Sequence, residues 1–278
     1  MRKEVANRTA RIEFDSLAEL SRYIVEAPRT WPYRQAEETE ASKQWDLGVG
    51  YKEAVRLAAE GWLEGAREAE AALAQFAPKD PEPDLVTDFY GHMPHVARYC
   101  AGAPDSMIRK APRADNGMGK VLTLYIPVNA NGYVKAECMR NFGLGVAQYV
   151  NELETSRGVR CELYGTATSA FSDMRVTHTW RIKHADQPLD FAVLCFSIGH
   201  PAMLRRLEFA LCERSPALPS YGYGSAEVAK LSDLIDPAHG AYILNGMERA
   251  NTVAATPADA LAFVEAQINK ALEVPDAD

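Results

Sequence analysis

Apolar side chains in the first part of the chain recur at helical spacing. Across residues 51–75 they fall three or four positions apart, while Glu, Arg and Lys fill the opposite face. This pattern predicts one long amphipathic helix. The same spacing predicts a shorter helix over residues 17–25. Prolines in positions that suit a helix start predict two more short helices, over residues 94–101 and 104–110.

The period of the apolar positions changes in the second part. Residues 121–128 and 159–164 are rich in β-branched and aromatic side chains, so we expect strands there. The apolar run at residues 191–198 has the length of a buried central strand. Between these strands, residues 134–154 carry an apolar stripe that predicts a long helix. Later segments predict three helices and one short strand: residues 201–213, 226–235 and 257–272, and residues 241–244.

Residues 175–183 alternate strictly between two kinds of side chain. One set is mainly apolar and the other is polar: Val176, His178, Trp180 and Ile182, against Thr177, Thr179, Arg181 and Lys183. One packed face and one wet face are typical of an antiparallel or edge strand. We therefore expect His178 to be a core or interface histidine.

The order of these elements predicts an α/β protein. A helical N-terminal part, residues 1–115, is expected to pack on a second part, residues 116–278. The second part is expected to contain a mixed, mostly parallel sheet with helices on both faces. Three prolines at positions 78, 81 and 83 end the long helix of the first part.

Composition narrows the classes of function. The chain has 278 residues and a formal net charge of -8 at pH 7, which argues against a protein that simply coats nucleic acid. Its five cysteines never fall in a C-x-x-C spacing, so we expect reduced thiols in a reducing compartment. No apolar run approaches the ~18 residues of a membrane span, and no secretory segment is recognised. These features predict a cytoplasmic protein without membrane contact.

Several motifs resemble an uncharacterised family of tailed-bacteriophage proteins. They are Trp45-x-x-Gly48, the run Y-x-E-A-x-x-L-A-x-x-G-W-x-x-G from Tyr51 to Gly65, Gly91-x-x-Pro94-x-Val96, Ala101-Gly102-x-Pro104-x-x-Met107, and Arg140-Asn141-x-Gly143. The resemblance implies a phage or prophage origin and a role inside an infected cell or in particle assembly. It implies no catalytic residues.

The topology of the second part resembles a von Willebrand A-type fold. In that fold the first strand ends in Asp-x-Ser-x-Ser, whose oxygens hold a divalent ion. The matching residues here run from Pro127 to Asn131, with Asn129 and Asn131 in place of the expected ligands. A hard cation needs carboxylate oxygens, so a strand-to-helix turn is the simpler interpretation of this segment.

No catalytic motif is complete in this sequence, and no cofactor or catalytic residue is predicted. His92 and His95 are spaced like a pair of metal ligands, and an enzyme or metal-dependent module that uses them with Asn129 and Asn131 is the third hypothesis. A turn at a helix start is the simpler explanation of the two histidines. We therefore predict no metal.

Basic residues cluster in two segments and support a second hypothesis, in which the protein binds single-stranded nucleic acid. The candidate phosphate contacts are Arg98, Arg109, Lys110, Arg113, Lys120, Arg175, Arg181 and Lys183. Cations beside aromatic side chains are the ingredients of such a surface. The alternative is that these cations form an ordinary solvated face.

Aromatic residues in two predicted loops support the leading hypothesis. Trp31 and Tyr33 lie in a proline-containing, charged segment at residues 27–44, and Tyr221 and Tyr223 lie in a Gly-rich loop. Exposed aromatic side chains are typical of protein interfaces. We therefore expect a non-enzymatic binding protein that acts through a protein partner or another copy of itself.

Overall fold

Both strands and helices occur in the described part of the computed structural model, which comprises residues 1–6, 8–31, 35–75, 84–111, 120–171, 174–215, 223 and 225–272. The strands are β1 (Arg2–Ala6), β2 (Thr9–Phe14), β3 (Asp84–Asp88), β4 (Met93–Pro94), β5 (Met107–Ala111), β6 (Val121–Pro127), β7 (Arg160–Phe171), β8 (Met174–Lys183), β9 (Ser225–Glu227) and β10 (Tyr242–Ile243). The α-helices are α1 (Leu17–Glu26), α2 (Gln35–Glu38), α3 (Lys43–Asp46), α4 (Tyr51–Glu60), α5 (Leu63–Gln75), α6 (Val96–Cys100), α7 (Ala136–Ser156), α8 (Phe191–Leu194), α9 (Phe209–Cys212), α10 (Ala250–Val253) and α11 (Pro257–Leu272). The π-helical turns are Cys195–Gly199 and Met203–Glu208, and the 3-10 helices are Leu231–Asp233 and Met247–Arg249.

One mixed sheet organises the molecule. Its strand order is β1-β2-β8-β7-β6-β10, and β9 pairs with the end of β7. The pairs β2–β8, β6–β7 and β6–β10 are parallel, whereas β1–β2, β7–β8 and β7–β9 are antiparallel. The predicted α/β class is confirmed. Strands β1 and β2 belong to residues 1–115, so both parts predicted from the sequence contribute to this sheet. The boundary between them lies outside the described residues.

Helix α7 packs against the sheet and is buried on nearly all sides. The predicted stripe is buried, with Phe142, Val146 and Val150 all fully inaccessible. The other side is also covered, because α5, α11 and the first π turn pack around it. At Gly143 the backbones meet, since an added Cβ would lie 2.3 Å from Gly199 Cα. Only glycine at position 143 allows this approach.

On the opposite face of the sheet, the side of β8 that was predicted to be solvent-exposed is buried. Thr177 and Thr179 of β8 are buried on this face, whereas a register shift between Leu163 and Tyr164 pairs Lys183 with Leu163 and brings it beside Glu154 of α7. The segment between β9 and β10 crosses this face, where Leu234 packs with the stacked rings of Tyr125 and Tyr164. Alternation predicts which side chains share a face, but it does not predict that a distant segment will cover the polar one.

The run at residues 191–198 is helical rather than a central strand. Asp190 caps α8 through bonds from the backbone N–H groups of Ala192 and Val193, at 2.9 and 3.1 Å. The π turn Cys195–Gly199 follows directly. A continuous apolar run is compatible with a helix that is buried on every side, and α5 and α7 bury this one.

The predicted helix at residues 51–75 is interrupted. Gly61 adopts a φ of +82°, and the next N–H, that of Trp62, donates to the carbonyl of Ala192 at 2.9 Å. The single predicted helix is therefore two helices, α4 and α5, with a break at Gly61. The positive φ is readily available only to glycine.

Two other predicted helices are wrong in whole or in large part. Residues 104–110 contribute to β5, which pairs with β3 along its full length. Residues 226–235 contain part of β9 and a 3-10 helix instead of one α-helix. In both segments, sheet pairing with distant residues overrides local helix preference. Among the helices that the structure describes, none is long and apolar enough to cross a membrane.

Candidate functional site

Residues 84–111 fold into a small sheet of their own. Strands β3, β5 and β4 pair in that order, antiparallel throughout. The turn after β3 is tight because Gly91 lies against β5, where an added Cβ would be 2.3 Å from the Ile108 carbonyl oxygen. His95 caps α6 by accepting a bond from the Arg98 N–H at 3.4 Å. This local bonding holds the sheet and its helix together.

The small sheet exposes an unusual number of large apolar side chains. Six of them, which we call the apolar patch, are between 46% and 73% exposed: Leu85, Phe89, Tyr90, Met93, Val96 and Tyr99. Along residues 85–110, Ser106 is the one buried residue. A three-stranded sheet needs a covered apolar face to be stable, and a group of large exposed apolar side chains in one short segment, here residues 85–99, marks an interaction surface. The patch is therefore a candidate binding surface.

Two of the cations predicted in this segment, Arg98 and Arg109, are paired within the small sheet. Arg98 binds both carboxylate oxygens of Asp105, at 2.6 and 2.5 Å, and Arg109 binds Asp88 at 2.5 Å. Hydrogen bonds from these guanidinium groups hold the pKa of both carboxyls below their ordinary range. The two arginines are thus neutralised locally. Lys110 and Lys120 are exposed, and Arg113 lies outside the described residues.

The predicted cations of β8 are also engaged with acidic or carbonyl groups. Arg175 pairs with Glu227 and with Asp233. Arg181 lies 3.0 Å from the Tyr164 hydroxyl and 3.5 Å from Glu162. Lys183 was predicted on a wet face, but it is buried.

The ammonium group of Lys183 pairs with Glu154 at 2.7 Å and donates to the Cys161 carbonyl at 3.0 Å. Burying a cation requires such partners. The cations of β8 therefore do not form a free positive surface.

The predicted interface aromatics are packed where the structure describes them. Trp31 is only 6% exposed, which corrects the prediction of an exposed loop. Its ring stacks on Tyr223 at 5.6 Å. Tyr223 in turn stacks on Phe209 at 3.9 Å and donates to Glu213 at 2.8 Å. Tyr33 and Tyr221 lie outside the described residues.

Trp31 precedes residues 35–46, which we call the segment before α4. It is buried because this segment is bound to a helix whose charged side chains are buried. Arg206 forms an ion pair with Asp46, and both are essentially inaccessible. The same guanidinium donates to carbonyls of the segment, at Ala36, Thr39 and Glu40. Arg205 lies over the Trp45 ring at 4.0 Å. Paired charges of this kind fix the path of the segment.

A second set of buried polar side chains lies between the helix that carries Arg206 and the sheet. His178 Nδ1 is 2.7 Å from Glu208 Oε1, and Cys212 Sγ is 3.7 Å from the same oxygen. All three side chains are at most 2% exposed. Burial raises the pKa of the Cys212 thiol well above its ordinary value. The sequence predicted His178 as a buried residue, but Glu208 and Cys212 were missed, although four-residue spacing on a predicted helix was a usable signal.

The residues of the predicted metal-dependent alternative lie apart. Asn129 donates to the Thr168 carbonyl at 3.3 Å, and Asn131 donates to the Tyr133 hydroxyl at 3.2 Å. His92 and His95 belong to the small sheet. The cleft beside the asparagine turn has a volume of about 620 Å³, and three cations, Lys43, Lys135 and Arg140, line it with one carboxylate, Glu137. Positive charge there disfavours a divalent cation.

Comparison with known proteins assigns no activity. A family model described as a domain of unknown function, DUF7192, matches residues 2–270. No curated protein matches the chain. No solved structure matches it either.

Proposed function

This chain belongs to the DUF7192 family of domains of unknown function, and we propose that it is a phage-encoded, non-enzymatic binding protein whose apolar patch docks on a protein partner or on a second copy of itself inside an infected cell. The observation that carries the proposal is the exposure of six large apolar side chains on a sheet with almost no core of its own. The phage origin rests on the sequence motifs alone.

The size of the apolar patch fits the centre of an interface. Three of the six residues are aromatic, and an aromatic side chain buries about 150–250 Å² when it is covered. Because all six are only partly exposed, together they supply an apolar area on the order of 500 Å². A standard protein interface buries about 800 Å² on each partner. The patch therefore accounts for a large share of one side, and the neighbouring polar groups suit its rim.

The charges around the patch favour a protein over a nucleic acid. Arg98 and Arg109 are paired with Asp105 and Asp88, so they offer little net positive charge to a phosphate. Strong nucleic-acid binding needs unpaired cations along the backbone path. Apolar side chains beside neutralised ion pairs match the composition of protein interfaces.

Sedimentation of the full chain tests the self-association half of the proposal. If a second copy covers the patch, the protein is dimeric at tens of micromolar, and Phe89→Ser with Tyr99→Ser makes it monomeric. Tyr133→Ser is the matched control, because Tyr133 is 71% exposed and Tyr99 is 70% exposed. The control variant remains dimeric.

Site-specific photocrosslinking tests the other half. If the wild-type chain is monomeric, a photoreactive amino acid at position 99 crosslinks to one defined protein in infected cells, and the same amino acid at position 133 does not. A monomer that crosslinks equally at both positions, or at neither, contradicts the proposal.

A second candidate function is single-stranded nucleic-acid binding. One observation favours it: Phe89, Tyr90 and Tyr99 are exposed in the same small sheet as an exposed cation, Lys110. Bases stack on such rings with little sequence preference. Fluorescence polarisation of a labelled single strand tests it, with binding that weakens steeply as salt rises. No binding at low salt excludes this candidate.

A further inference from the structure

Three side chains with metal-binding chemistry converge at one point in the core. His178 lies on β8, while Glu208 ends the second π turn and Cys212 lies one turn further on α9. One ligand atom from each lies within 4.8 Å of the other two. His178 lies 30 positions before Glu208 in the chain, so the tertiary fold creates this arrangement. We call it the His-Glu-Cys cluster.

Two polar atoms of the cluster lack the hydrogen bonds that burial requires. His178 Nε2 and Glu208 Oε2 are buried without a hydrogen-bond partner among the described residues. Leaving such an atom unpaired costs about 1–3 kcal/mol, and buried polar groups in native proteins are nearly always paired. Glu208 Oε2 can bind a metal ion beside Oε1, whereas His178 Nε2 cannot reach an ion that is bound to Nδ1 of the same ring.

The helix geometry directs two of the ligands to the same side. Glu208 and Cys212 are four residues apart, so both face the sheet. The turn before Glu208, Met203–Glu208, is π-helical, and all six of its residues are buried. Such turns are rare and occur often at functional sites. The widened turn brings Glu208 inward next to β8.

We propose that the His-Glu-Cys cluster binds a zinc-class divalent metal ion. Imidazole nitrogen, carboxylate oxygen and thiolate sulfur are the three ligand types that Zn²⁺ uses in proteins. The thiolate excludes Mg²⁺ and Ca²⁺, which take oxygen ligands. The site also balances charge, since one thiolate, one carboxylate and a neutral imidazole cancel the two charges of the ion. A neutral assembly avoids the large cost of burying net charge.

The distances require only a small adjustment. Ligands of tetrahedral zinc lie about 3.3–3.7 Å from one another, and Cys212 Sγ and Glu208 Oε1 are already 3.7 Å apart. The 2.7 Å contact of His178 with Glu208 opens by less than about 1 Å in this geometry. One water supplies the fourth position. Binding releases the Cys212 thiol proton to solvent.

The competing explanation is a metal-free hydrogen-bonded group, in which the thiol and the imidazole donate to Glu208. It leaves Glu208 Oε2 unpaired, whereas His178 Nε2 is unpaired in both explanations. It also predicts that the protein contains no metal, so analysis of the full chain distinguishes the two.

The test is metal analysis of the full chain after expression in zinc-supplemented medium and purification without chelators. We expect about one equivalent of zinc per chain, and a loss of at least about tenfold in His178→Gln and in Cys212→Ser. Cys195→Ser is the matched control, because Cys195 is equally buried, at 1% exposure, and lies outside the cluster. It retains its zinc. Circular dichroism shows whether each variant folds.

Cobalt substitution provides a readout that needs no variant. Refolding the wild-type chain with Co²⁺ gives tetrahedral d–d absorption and a thiolate-to-cobalt charge-transfer band, and zinc displaces both. A wild-type chain with no transition metal, whether as purified or after refolding with zinc or cobalt, overturns the proposal. So does equal zinc content in folded Cys212→Ser and wild type.

Discussion

The body of the molecule and the small sheet at residues 84–111 use charged and apolar side chains in opposite ways. In the body, Arg206 and Asp46 are buried and paired, and most of the large apolar side chains pack in one main core and two smaller clusters. In the small sheet, the ion pairs lie at the surface and the large apolar side chains face solvent. The body is thus complete as a folded unit, whereas the small sheet has an apolar surface left to cover.

This difference indicates where stability and function lie. Buried ion pairs are poor sources of net stability, but they strongly disfavour arrangements that separate the partners. In this chain they fix the segment before α4 on the helix that carries Arg206. The small sheet has no comparable constraint, so changes there should affect binding more than global folding.

Breaking the buried ion pair should give the largest change. Asp46→Ala leaves the Arg206 guanidinium buried without its carboxylate, and it removes an acceptor for the Ser42 and Gly48 N–H groups. We expect the free energy of unfolding to fall by about 3–5 kcal/mol, measured by urea denaturation.

The control for this change is an exposed ion pair on α4. Glu53→Ala removes a carboxylate from Arg56, where both side chains are about half exposed, and should leave the denaturation midpoint unchanged. Equal effects of the two substitutions would show that Arg206 finds water when Asp46 is lost, and the contrast between buried and exposed pairs would not hold.

Acid pH should produce the next largest effect, through His200. Burial lowers the pKa of this imidazole from 6.5 to about 4. Between these values the unfolded chain binds a proton that the folded chain does not, so stability falls as pH decreases from 6.5 to 4. The shift corresponds to about 3 kcal/mol at 1.36 kcal/mol per pKa unit.

The comparison of His200→Asn with wild type isolates this contribution. Asparagine does not titrate, and its side-chain oxygen can accept the Ala202 N–H that His200 Nδ1 accepts at 3.1 Å. We expect the variant to lose less stability than wild type between pH 7 and pH 4. His92→Asn, in the exposed small sheet, should keep the wild-type pH dependence. A slope unchanged by His200→Asn would contradict the assignment.

A steric change at the centre of the body should have an intermediate effect. Gly143→Ala gains about 1 kcal/mol of helix propensity, but the added Cβ would lie 2.3 Å from Gly199 Cα. A backbone atom cannot rotate away, so we expect a net loss of about 1–3 kcal/mol. Gly50→Ala, whose Cβ has no neighbour within 4 Å, is the control in thermal unfolding. Increased stability of Gly143→Ala would show that the helices separate easily.

Much of the fold could be predicted from the sequence, because local periodicity decides most of its elements. The helix over residues 257–272 and the strands near residues 121–128 and 175–183 match the structure closely. The strand predicted at residues 191–198 was wrong, because a segment that is buried on all sides has no periodicity to distinguish strand from helix. The break at Gly61 depends on contact with Ala192, which no local pattern contains.

The candidate sites were harder to predict than the fold. His178 was expected in the core, but its partners Glu208 and Cys212 become neighbours only through the packing of a helix on β8. The small sheet that carries the apolar patch was missed because its central strand, β5, was interpreted as a helix. Conversely, Trp31 and Arg98 were noticed for their residue type, but residue type does not reveal whether a ring is packed or a cation is paired.

The smallest effect on global stability should come from a comparable clash in the small sheet. In Gly91→Ala the added Cβ would lie 2.3 Å from the Ile108 carbonyl oxygen, as close as the clash at Gly143. We nevertheless expect the global free energy of unfolding to change by less than about 0.5 kcal/mol, because the small sheet has almost no core to lose. Hydrogen exchange should show lost protection within residues 84–111 and unchanged protection in α7. The variant should also lose the binding proposed for the apolar patch. If Gly91→Ala instead destabilises the body as much as Gly143→Ala does, the small sheet is an integral part of the folding unit, and its exposed side chains need another explanation.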